Sequence, residues 1–174
     1  MYTVIFGIAV EKIIAKHSSI TMKKSAGILL YRIIKEKPEV LLVHPGGPFW
    51  KNKDEGAWSV PKGEFTAEED ALDAAKREFE EETGFTCNGN FIALSPVQLK
   101  SGKKVYAWAL EKNIDAGQIK SNEFEMEWPP KSGKKQRFPE IDKAVWFSPA
   151  VAKQKINPSQ SAFIDELLSL LPSA

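Results

Sequence analysis

The strongest constraint on this chain is an acidic segment, residues 63–85, which carries nine Asp and Glu side chains against only Lys76 and Arg77. Three of its glutamates are spaced three and four residues apart: Glu78, Glu81 and Glu82. Residues at that spacing are neighbours on one side of an α-helix, where like charges repel one another and reduce stability. A divalent cation between the carboxylates would relieve the repulsion, since hard ions such as Mg²⁺ take oxygen ligands. The segment therefore predicts a helix that binds a metal ion on one side.

The acidic segment also contains a longer ordered pattern. A glycine is followed after five residues by a glutamate, and after seven more by Arg-Glu, an apolar residue, any residue, two glutamates, any residue and a second glycine. The positions are Gly63, Glu69, Arg77, Glu78, Glu81, Glu82 and Gly84. They match every fixed position in the signature of the Nudix hydrolases, and the chain resembles this family, which cleaves diphosphate bonds in nucleoside diphosphate derivatives. Phe79 and Phe85 are aromatic where the family more often has Ile, Leu or Val, a difference that affects packing rather than chemistry.

The resemblance implies an α/β fold, a Nudix-type α/β/α sandwich with a mixed β-sheet, and the mixture of short strand and helix patterns agrees with that class. We predict that residues 22–174 form the domain and that residues 1–21 are an extension outside its core. Residues 57–61 are expected to form a short strand before the motif, and residues 111–140 an irregular insertion that contains one strand. An amphipathic helix is predicted for residues 161–171.

The acidic helix is expected to begin near Thr66 and to end at Gly84. Thr66 as N-cap and Glu69 three residues later would form a capping box, in which each side chain accepts from a free backbone N–H. A water-mediated metal role for Glu69 is the alternative. Gly84 suits the left-handed conformation that ends many helices. The predicted buried stripe of the helix is Leu72, Ala75 and Phe79.

By resemblance to the Nudix family, three glutamates of the helix would ligate Mg²⁺, with Mn²⁺ as an alternative: Glu78, Glu81 and Glu82. The backbone carbonyl of Lys62 would be a further ligand, with Gly63 allowing close approach of the backbone. Catalytic roles are expected for Glu78, which would hold or deprotonate the attacking water, and for Glu82. Arg77 is expected to orient the glutamates through charge-assisted hydrogen bonds.

A catalytic base outside the signature is the alternative that some members of the family use. Glu140 is the first candidate for such a carboxylate, recruited from a loop across the site. The reserve candidates are Glu123, Glu125 and Glu127. The simplest interpretation of each of these reserve residues is an ordinary surface glutamate.

Substrate recognition is predicted from the segment that leads into the motif and from nearby aromatic residues. The sequence Trp-Ser-Val-Pro-Lys-Gly at residues 58–63 resembles the Pro-Lys-Gly entry of the dinucleoside polyphosphate and diphosphoinositol polyphosphate branches of the family. Lys62 would place a positive charge on a polyphosphate chain. Ring-bearing candidates for contact with the substrate are His44, Phe49, Trp50, Trp58 and Trp128.

Composition excludes several other functions. The net charge is +1, so no general field attracts nucleic acid or an anionic membrane. Cys87 is the only cysteine, which rules out an internal disulfide and favours the reducing cytoplasm. No apolar run approaches the roughly 18 residues that span a bilayer. We therefore expect a cytoplasmic protein without nucleic-acid or membrane partners, either a monomer or a homodimer.

These observations together predict a Nudix pyrophosphohydrolase that acts on a phosphorus-containing acid anhydride. Its expected substrate is a nucleoside polyphosphate, either a diadenosine polyphosphate or a nucleoside triphosphate. The alternatives are a nucleoside diphosphate sugar such as ADP-ribose, the triphosphate at an RNA 5′ end, and a non-catalytic ligand-binding module of the same fold. A binding module has no need to cluster acidic residues, which favours the enzyme.

Overall fold

The computed structural model describes residues 23–172, so the extension predicted at residues 1–21 lies outside the described residues. The centre of the described part is a six-stranded mixed β-sheet with one helix on one face and two on the other. This arrangement confirms the predicted α/β/α sandwich. No helix in the described range is both long and apolar enough to cross a lipid bilayer.

The bounds of the secondary-structure elements follow the chain in order. The strands are β1 (Lys24–Ile34), β2 (Lys37–Pro45), β3 (Lys62–Phe65), β4 (Ile92–Gln98), β5 (Lys104–Glu111), β6 (Glu123–Glu127), β7 (Lys135–Pro139) and β8 (Ile141–Phe147). The helices are α1 (Ala71–Thr83), α2 (Pro149–Lys155) and α3 (Ser161–Leu170). One-turn 3₁₀-helices lie at Ala116–Gln118 and Pro158–Gln160.

The main sheet has the strand order β4-β5-β1-β2-β8, and β3 pairs with the first part of β1. Strands β1 and β5 are parallel, whereas the other neighbours are antiparallel. The inner strands β1 and β2 contain long runs of buried apolar residues, as expected for strands covered on both faces. The pairing of β3 with β1 brings Lys62 and Gly63 beside α1, where the signature glutamates are located.

The two faces of the sheet are covered by amphipathic helices. Helix α1 buries Ala74, Ala75, Phe79 and Thr83. Helix α3 buries Phe163, Ile164 and Leu167 on the opposite face. The predicted stripe of α1 is therefore confirmed at Ala75 and Phe79, while Leu72 is only partly buried. The predicted C-terminal helix is confirmed to within one residue at its end.

The predicted start of the acidic helix was wrong by one turn. The helix begins at Ala71, and its N-cap is Asp70 rather than Thr66. The Asp70 carboxylate accepts from the backbone N–H groups of Leu72 and Asp73 at 2.9 and 3.1 Å. A carboxylate at the N-cap satisfies free N–H groups and also interacts favourably with the helix dipole, so it displaces the weaker Thr cap.

The predicted end of the same helix is confirmed. Gly84 has φ 76° and ψ 4°, and its backbone N–H donates to the carbonyl of Glu80 at 2.7 Å. This left-handed conformation carries no steric penalty for glycine. The chain therefore turns away from α1 two residues after Glu82, the last signature glutamate.

The strand predicted at residues 57–61 was also wrong, since this segment makes only isolated bridges. Val43 and Ser59 exchange backbone hydrogen bonds of 2.9 and 3.0 Å, and Trp58 bridges Ile156. Strand β1 pairs with β2 from Lys37 to Val40, and beyond that stretch Ser59 bridges β2 at the single residue Val43. The strand that enters the motif begins later, at Lys62.

The insertion at residues 111–140 is more regular than predicted. It contains a 3₁₀ turn and a two-stranded antiparallel hairpin formed by β6 and β7. One face of this hairpin is aromatic, with the rings of Phe124 and Phe138 6.1 Å apart between centroids. The hairpin packs on the loop after β2, where the Phe49 ring lies 5.4 Å from that of Trp128. Packing of this aromatic face on the loop gives the hairpin an order that the polar sequence did not indicate.

Candidate active site

The carboxylate of Glu78 lies directly against the backbone of β3. A Cβ atom added at Gly63 would stand 1.8 Å from Glu78 Oε2 and 2.0 Å from its Cδ, so only glycine leaves room for this carboxylate. The Glu78 side chain exposes 13% of its surface. Burial raises the pKa of Glu78 above its ordinary value, although the hydrogen bond from Arg77 opposes the shift. The negative charges of Glu81 and Glu140 raise this pKa further.

Glu82 lies one helical turn further along the same side of α1. Its Oε2 accepts a hydrogen bond of 2.8 Å from the backbone N–H of Lys62. Burial raises the pKa of Glu82 to about 8, despite the opposing positive charge of Lys62. Burial also lowers the pKa of Lys62, against the opposing effect of Glu82. Burial therefore disfavours the ionised form of Glu82, and additional positive charge at this position would favour it.

The guanidinium of Arg77 connects three glutamates of the signature. Its Nε and Nη2 donate to the two carboxylate oxygens of Glu69 at 2.9 and 3.1 Å. Its Nη1 donates to Glu78 at 2.6 Å and to Glu81 at 3.3 Å. The hydrogen bond from Arg77 lowers the pKa of Glu69, and the acceptor carboxylates raise that of Arg77. Glu69 therefore anchors Arg77 instead of forming the predicted capping box.

We expect Arg77→Lys to lower kcat by roughly 10- to 100-fold, the range typical of residues that support metal ligands. An ammonium group cannot reproduce the bidentate contact with Glu69 while it also reaches Glu78. Steady-state kinetics and a thermal unfolding curve would measure the effect. The control is Lys76→Arg, because the adjacent Lys76 pairs with the exposed Asp73 at 3.2 Å and lies over the Phe91 ring, with no ion pair to a signature glutamate among the described residues. Unchanged kcat in Arg77→Lys would show that Arg77 does not position the glutamates.

Glu140 faces the signature glutamates from across the site. Its backbone carbonyl accepts from Gly46 N–H at 2.8 Å, and its own N–H donates to the carbonyl of Asn122 at 2.8 Å. Asn122 in turn donates its N–H to the carbonyl of Glu81 on α1 at 3.1 Å. These bonds hold Glu140 between the loop after β2 and the end of α1. Its charge raises the pKa of both Glu78 and Glu82, so the three carboxylates lie in one electrostatic environment.

The reserve candidates do not share this environment. Glu125 pairs with Lys135 at 2.9 Å on the exposed face of the hairpin. Glu127 accepts from the backbone N–H of Gly133 at 2.8 Å in the hairpin turn. Glu123 is exposed at the start of β6. The fold thus brings Glu140, and none of these three, to the wall of the cavity beside α1.

A cavity of about 190 Å³ opens beside Glu82. Four residues with predicted roles in substrate binding or catalysis line it: Trp50, Trp58, Lys62 and Glu140. Its other walls include Leu99 from the β4–β5 turn and Asn157 and Gln160 from the connection between α2 and α3. Sequence reasoning missed these three, since no local pattern relates them to the motif. Gln160 is fully buried, and its Oε1 accepts from the backbone N–H of Val60 at 3.2 Å, which ties the cavity to the segment before the motif.

His44 does not line this cavity, and the predicted substrate contact does not fit its position. The side chain is buried, and Nδ1 lies 2.7 Å from Asp142 Oδ1. Nε2 lies 2.7 Å from the backbone carbonyl of Lys53, to which it must donate. The imidazole also packs edge-on against Trp58, with 5.2 Å between ring centroids. His44 therefore fastens the loop after β2 to strand β8.

Comparison with known families identifies the fold that carries this site. The NUDIX domain model matches residues 23–167, which is most of the chain. This chain belongs to the Nudix family. No curated protein sequence matches it significantly. With the family and the intact signature together, the chain is a Nudix pyrophosphohydrolase that acts on phosphorus-containing acid anhydrides.

Solved Nudix structures share the fold at low sequence identity. A C. elegans Ap4A hydrolase in a binary complex is 21% identical with a TM-score of 0.59, covering 85% of this chain and 96% of that one. The NUDIX domain of Shewanella oneidensis NrtR, complexed with ADP ribose, is 14% identical with a TM-score of 0.60, covering 93% and 98%. A MutT of Aliivibrio salmonicida or Vibrio cholerae is 15% identical with a TM-score of 0.52, covering 86% and 98%.

Nudix hydrolases generally use a divalent metal ion, and the donor atoms at this site fit one. Glu78 and Glu82 both have raised pKa values, so added positive charge would favour their ionised forms. Among residues 23–172, however, no three acidic, His or Cys side chains already converge at metal-binding distance. Arg77 draws Glu78 and Glu81 toward itself, while the Lys62 N–H holds Glu82. A cation must therefore compete with Arg77 for these carboxylates.

Proposed function

We propose that this Nudix hydrolase cleaves a phosphoanhydride bond in a nucleoside polyphosphate, with a diadenosine polyphosphate preferred over a nucleoside triphosphate. The observation that carries the proposal is the placement of Glu82 and Glu140 in the wall of a cavity that also contains Lys62, with the charge of Glu78 close enough to raise the pKa of Glu82. Carboxylates suit a cation at the scissile bond, and a lysine suits the phosphate chain beyond it. The aromatic walls formed by Trp50 and Trp58 suit a nucleobase.

In the proposed reaction, water attacks a phosphorus atom of the diphosphate bridge. The new P–O bond forms as the bond to the bridging oxygen breaks, and the water proton passes to a carboxylate. Glu78 is the first candidate for that base and Glu140 the second, since both lie in the same acidic environment. The products are a nucleotide and a second phosphorylated compound.

The residues that would hold Mg²⁺, or Mn²⁺ in its place, are Glu78, Glu81, Glu82 and the backbone carbonyl of Lys62. A cation bound there would neutralise charge on the phosphates that otherwise repels the nucleophile. Arg77 keeps Glu78 and Glu81 in place through its contacts with them. The Lys62 ammonium, close to Glu82, would meet the next phosphate of the chain.

Several features support the proposed substrate class and the proposed cellular compartment. The Pro-Lys-Gly entry at residues 61–63 resembles that of dinucleoside polyphosphate hydrolases, and the C. elegans Ap4A hydrolase shares the fold. The other similar structures include a complex with ADP ribose, which makes ADP-ribose the main competing substrate. The buried free thiol of Cys87 suits the reducing cytoplasm, where we place this protein as a monomer or homodimer.

The proposal predicts the highest kcat/KM for diadenosine tetraphosphate among three substrates compared at equal concentration with Mg²⁺. The other two are ATP and ADP-ribose, and chromatography of the products would measure each rate. Glu82→Gln protein, purified in parallel, is the control for contaminating hydrolases. A kcat/KM for ADP-ribose at least tenfold above the other two would contradict the proposed substrate class and leave the Nudix assignment intact.

A further inference from the structure

A second concave surface lies next to the catalytic cavity and shares Trp58 with it. This surface, which we call the lysine pocket, has a volume of about 510 Å³. Four of its lining residues are lysines from three separate segments, and two aromatic rings form part of its apolar wall: Lys51, Lys53, Lys143, Lys155, Trp58 and Phe147. The chain as a whole carries a net charge of only +1, so this concentration of lysines is local.

The lysine pocket contains little negative charge to balance these lysines. Among the residues that the structure describes, Asp54 is the one carboxylate in its lining, and it already pairs with Lys155 and accepts from Trp58 Nε1 at 2.8 Å. The nearby Asp142 is engaged with His44. Within residues 23–172, the remaining three lysines make no ion pair within 4 Å: Lys51, Lys53 and Lys143. Four lysines against one aspartate give the walls a formal charge of +3.

We propose that the lysine pocket binds a soluble, multiply phosphorylated anion. Lysine ammonium groups are flexible point charges that suit phosphate oxygens, and several in one concave site can contact several phosphates at once. Concave, low-dielectric walls also focus the field of like charges and raise the local concentration of an anion. The proposal concerns binding outside the catalytic cavity, so it does not depend on the reaction proposed above.

The shape of the pocket favours a small ligand over a membrane or a nucleic acid. Its lysines line a cavity that has Trp58 and Phe147 in its wall, whereas a bilayer needs a flat basic surface. A nucleic acid needs a basic stripe that extends along the protein. The other exposed lysines of the described residues are spread over separate elements, for example Lys35 in the β1–β2 turn, Lys100 in the β4–β5 turn and Lys135 on the β6–β7 hairpin. A compact polyphosphate therefore matches the pocket best.

The test is titration of inorganic tripolyphosphate into the full chain in the presence of EDTA, monitored by calorimetry. In the absence of divalent cations, the signature glutamates repel tripolyphosphate. Any binding that is measured therefore reports on the lysines and not on the metal site. We expect the double variant Lys51→Glu/Lys143→Glu to weaken binding at least roughly tenfold, because each reversal replaces an attraction with a repulsion. The matched control is Lys131→Glu/Lys134→Glu, which makes the same charge change on the hairpin and should alter the affinity less than threefold.

Three results would overturn the proposal: an equal loss in both double variants, no loss in Lys51→Glu/Lys143→Glu, or binding to phosphoinositide vesicles without binding to tripolyphosphate. Thermal unfolding would confirm that both variants fold, and the single exposed variant Lys51→Ala would replace the double one if it does not. A change in the NMR signals of the Phe147 ring, which lines the lysine pocket and not the catalytic cavity, would independently place the ligand. Hydrolysis by the lysine variants should stay at the parent level, which separates this test from that of the catalytic site.

Discussion

Replacing Glu82 by Gln is expected to lower kcat by roughly 10²- to 10⁴-fold, the range seen when a catalytic carboxylate is lost. Glutamine keeps the size of the side chain, and its amide oxygen can still accept from the Lys62 N–H. The change removes the negative charge needed by a cation and leaves the packing of α1 intact. Steady-state hydrolysis with Mg²⁺, together with calorimetric titration of Mn²⁺, would measure both losses.

The matched control for this variant is Glu80→Gln. Glu80 belongs to the same helix but is exposed, and its side chain makes no hydrogen bond or ion pair within the described residues. The two substitutions therefore make the same chemical change at a site that faces the cavity and at one that does not. Full activity in Glu82→Gln, with Mn²⁺ affinity equal to that of Glu80→Gln, would remove the basis for the metal site.

The Glu82→Gln variant also tests whether the pKa of Glu82 is raised in the metal-free protein. The pKa of Glu82 rises from its ordinary value of 4.5 to about 8 in the folded protein. Because the folded state holds this proton more tightly, its contribution to stability is complete below about pH 4.5 and declines as the pH rises toward 8. The Tm of the metal-free parent should fall more steeply across that window than the Tm of Glu82→Gln. Parallel Tm curves for the two proteins would contradict the raised pKa.

A methyl group at position 63 should inactivate the enzyme through displacement of one carboxylate. In Gly63→Ala the new Cβ would stand 1.8 Å from Glu78 Oε2, so the carboxylate must move away. The atoms in conflict belong to the end of a flexible side chain, so the fold can adjust at little cost. We expect kcat to fall by roughly 10²-fold or more, since misplacement of a reacting group by about 1 Å has an effect of that size.

The control for this second prediction is Gly117→Ala. Gly117 is exposed in the 3₁₀ turn, and a Cβ there would have only Asp115 Oδ1 as a close neighbour, at 3.3 Å. Both variants lose the same backbone freedom of glycine, so a difference in kcat reports on Glu78. The measurements are steady-state kinetics and denaturant unfolding. Wild-type kcat in a folded Gly63→Ala protein would show that Glu78 does not need its position beside β3.

Sequence reasoning succeeded where the signal was local. The spacing of the signature glutamates depends only on helical geometry, and Gly84 ends the helix because glycine adopts the left-handed conformation easily. Sequence reasoning failed at the start of α1, where two residues could each cap the helix. Asp70 and Thr66 both suit an N-cap, and the geometry that selects Asp70 is not visible in a pattern.

The outcome at His44 shows the same limit for a site residue. In the sequence, a histidine beside a loop with aromatic residues is equally compatible with two roles. It could contact the substrate, or it could be buried and hydrogen-bond two segments of the fold to each other. Its actual partners are Asp142 and the carbonyl of Lys53, which the fold brings together from different parts of the chain. The hairpin of residues 123–139 is a further example, because its order depends on the packing of Phe124 near Gly47.

The amino-acid sequence alone determined the acidic side of α1, which follows from residue spacing along a helix. It also indicated the family and the sandwich fold, which are implied by the resemblance of a short ordered motif to the Nudix signature. Only the tertiary structure decided that Arg77 holds Glu69, Glu78 and Glu81 together, and that Glu140 faces them. The tertiary structure also decided which residues, distant in sequence, line the catalytic cavity, and where the four lysines of the lysine pocket come together. The physical reason is that these contacts join segments remote in the chain, whose distances are fixed by strand order and helix packing.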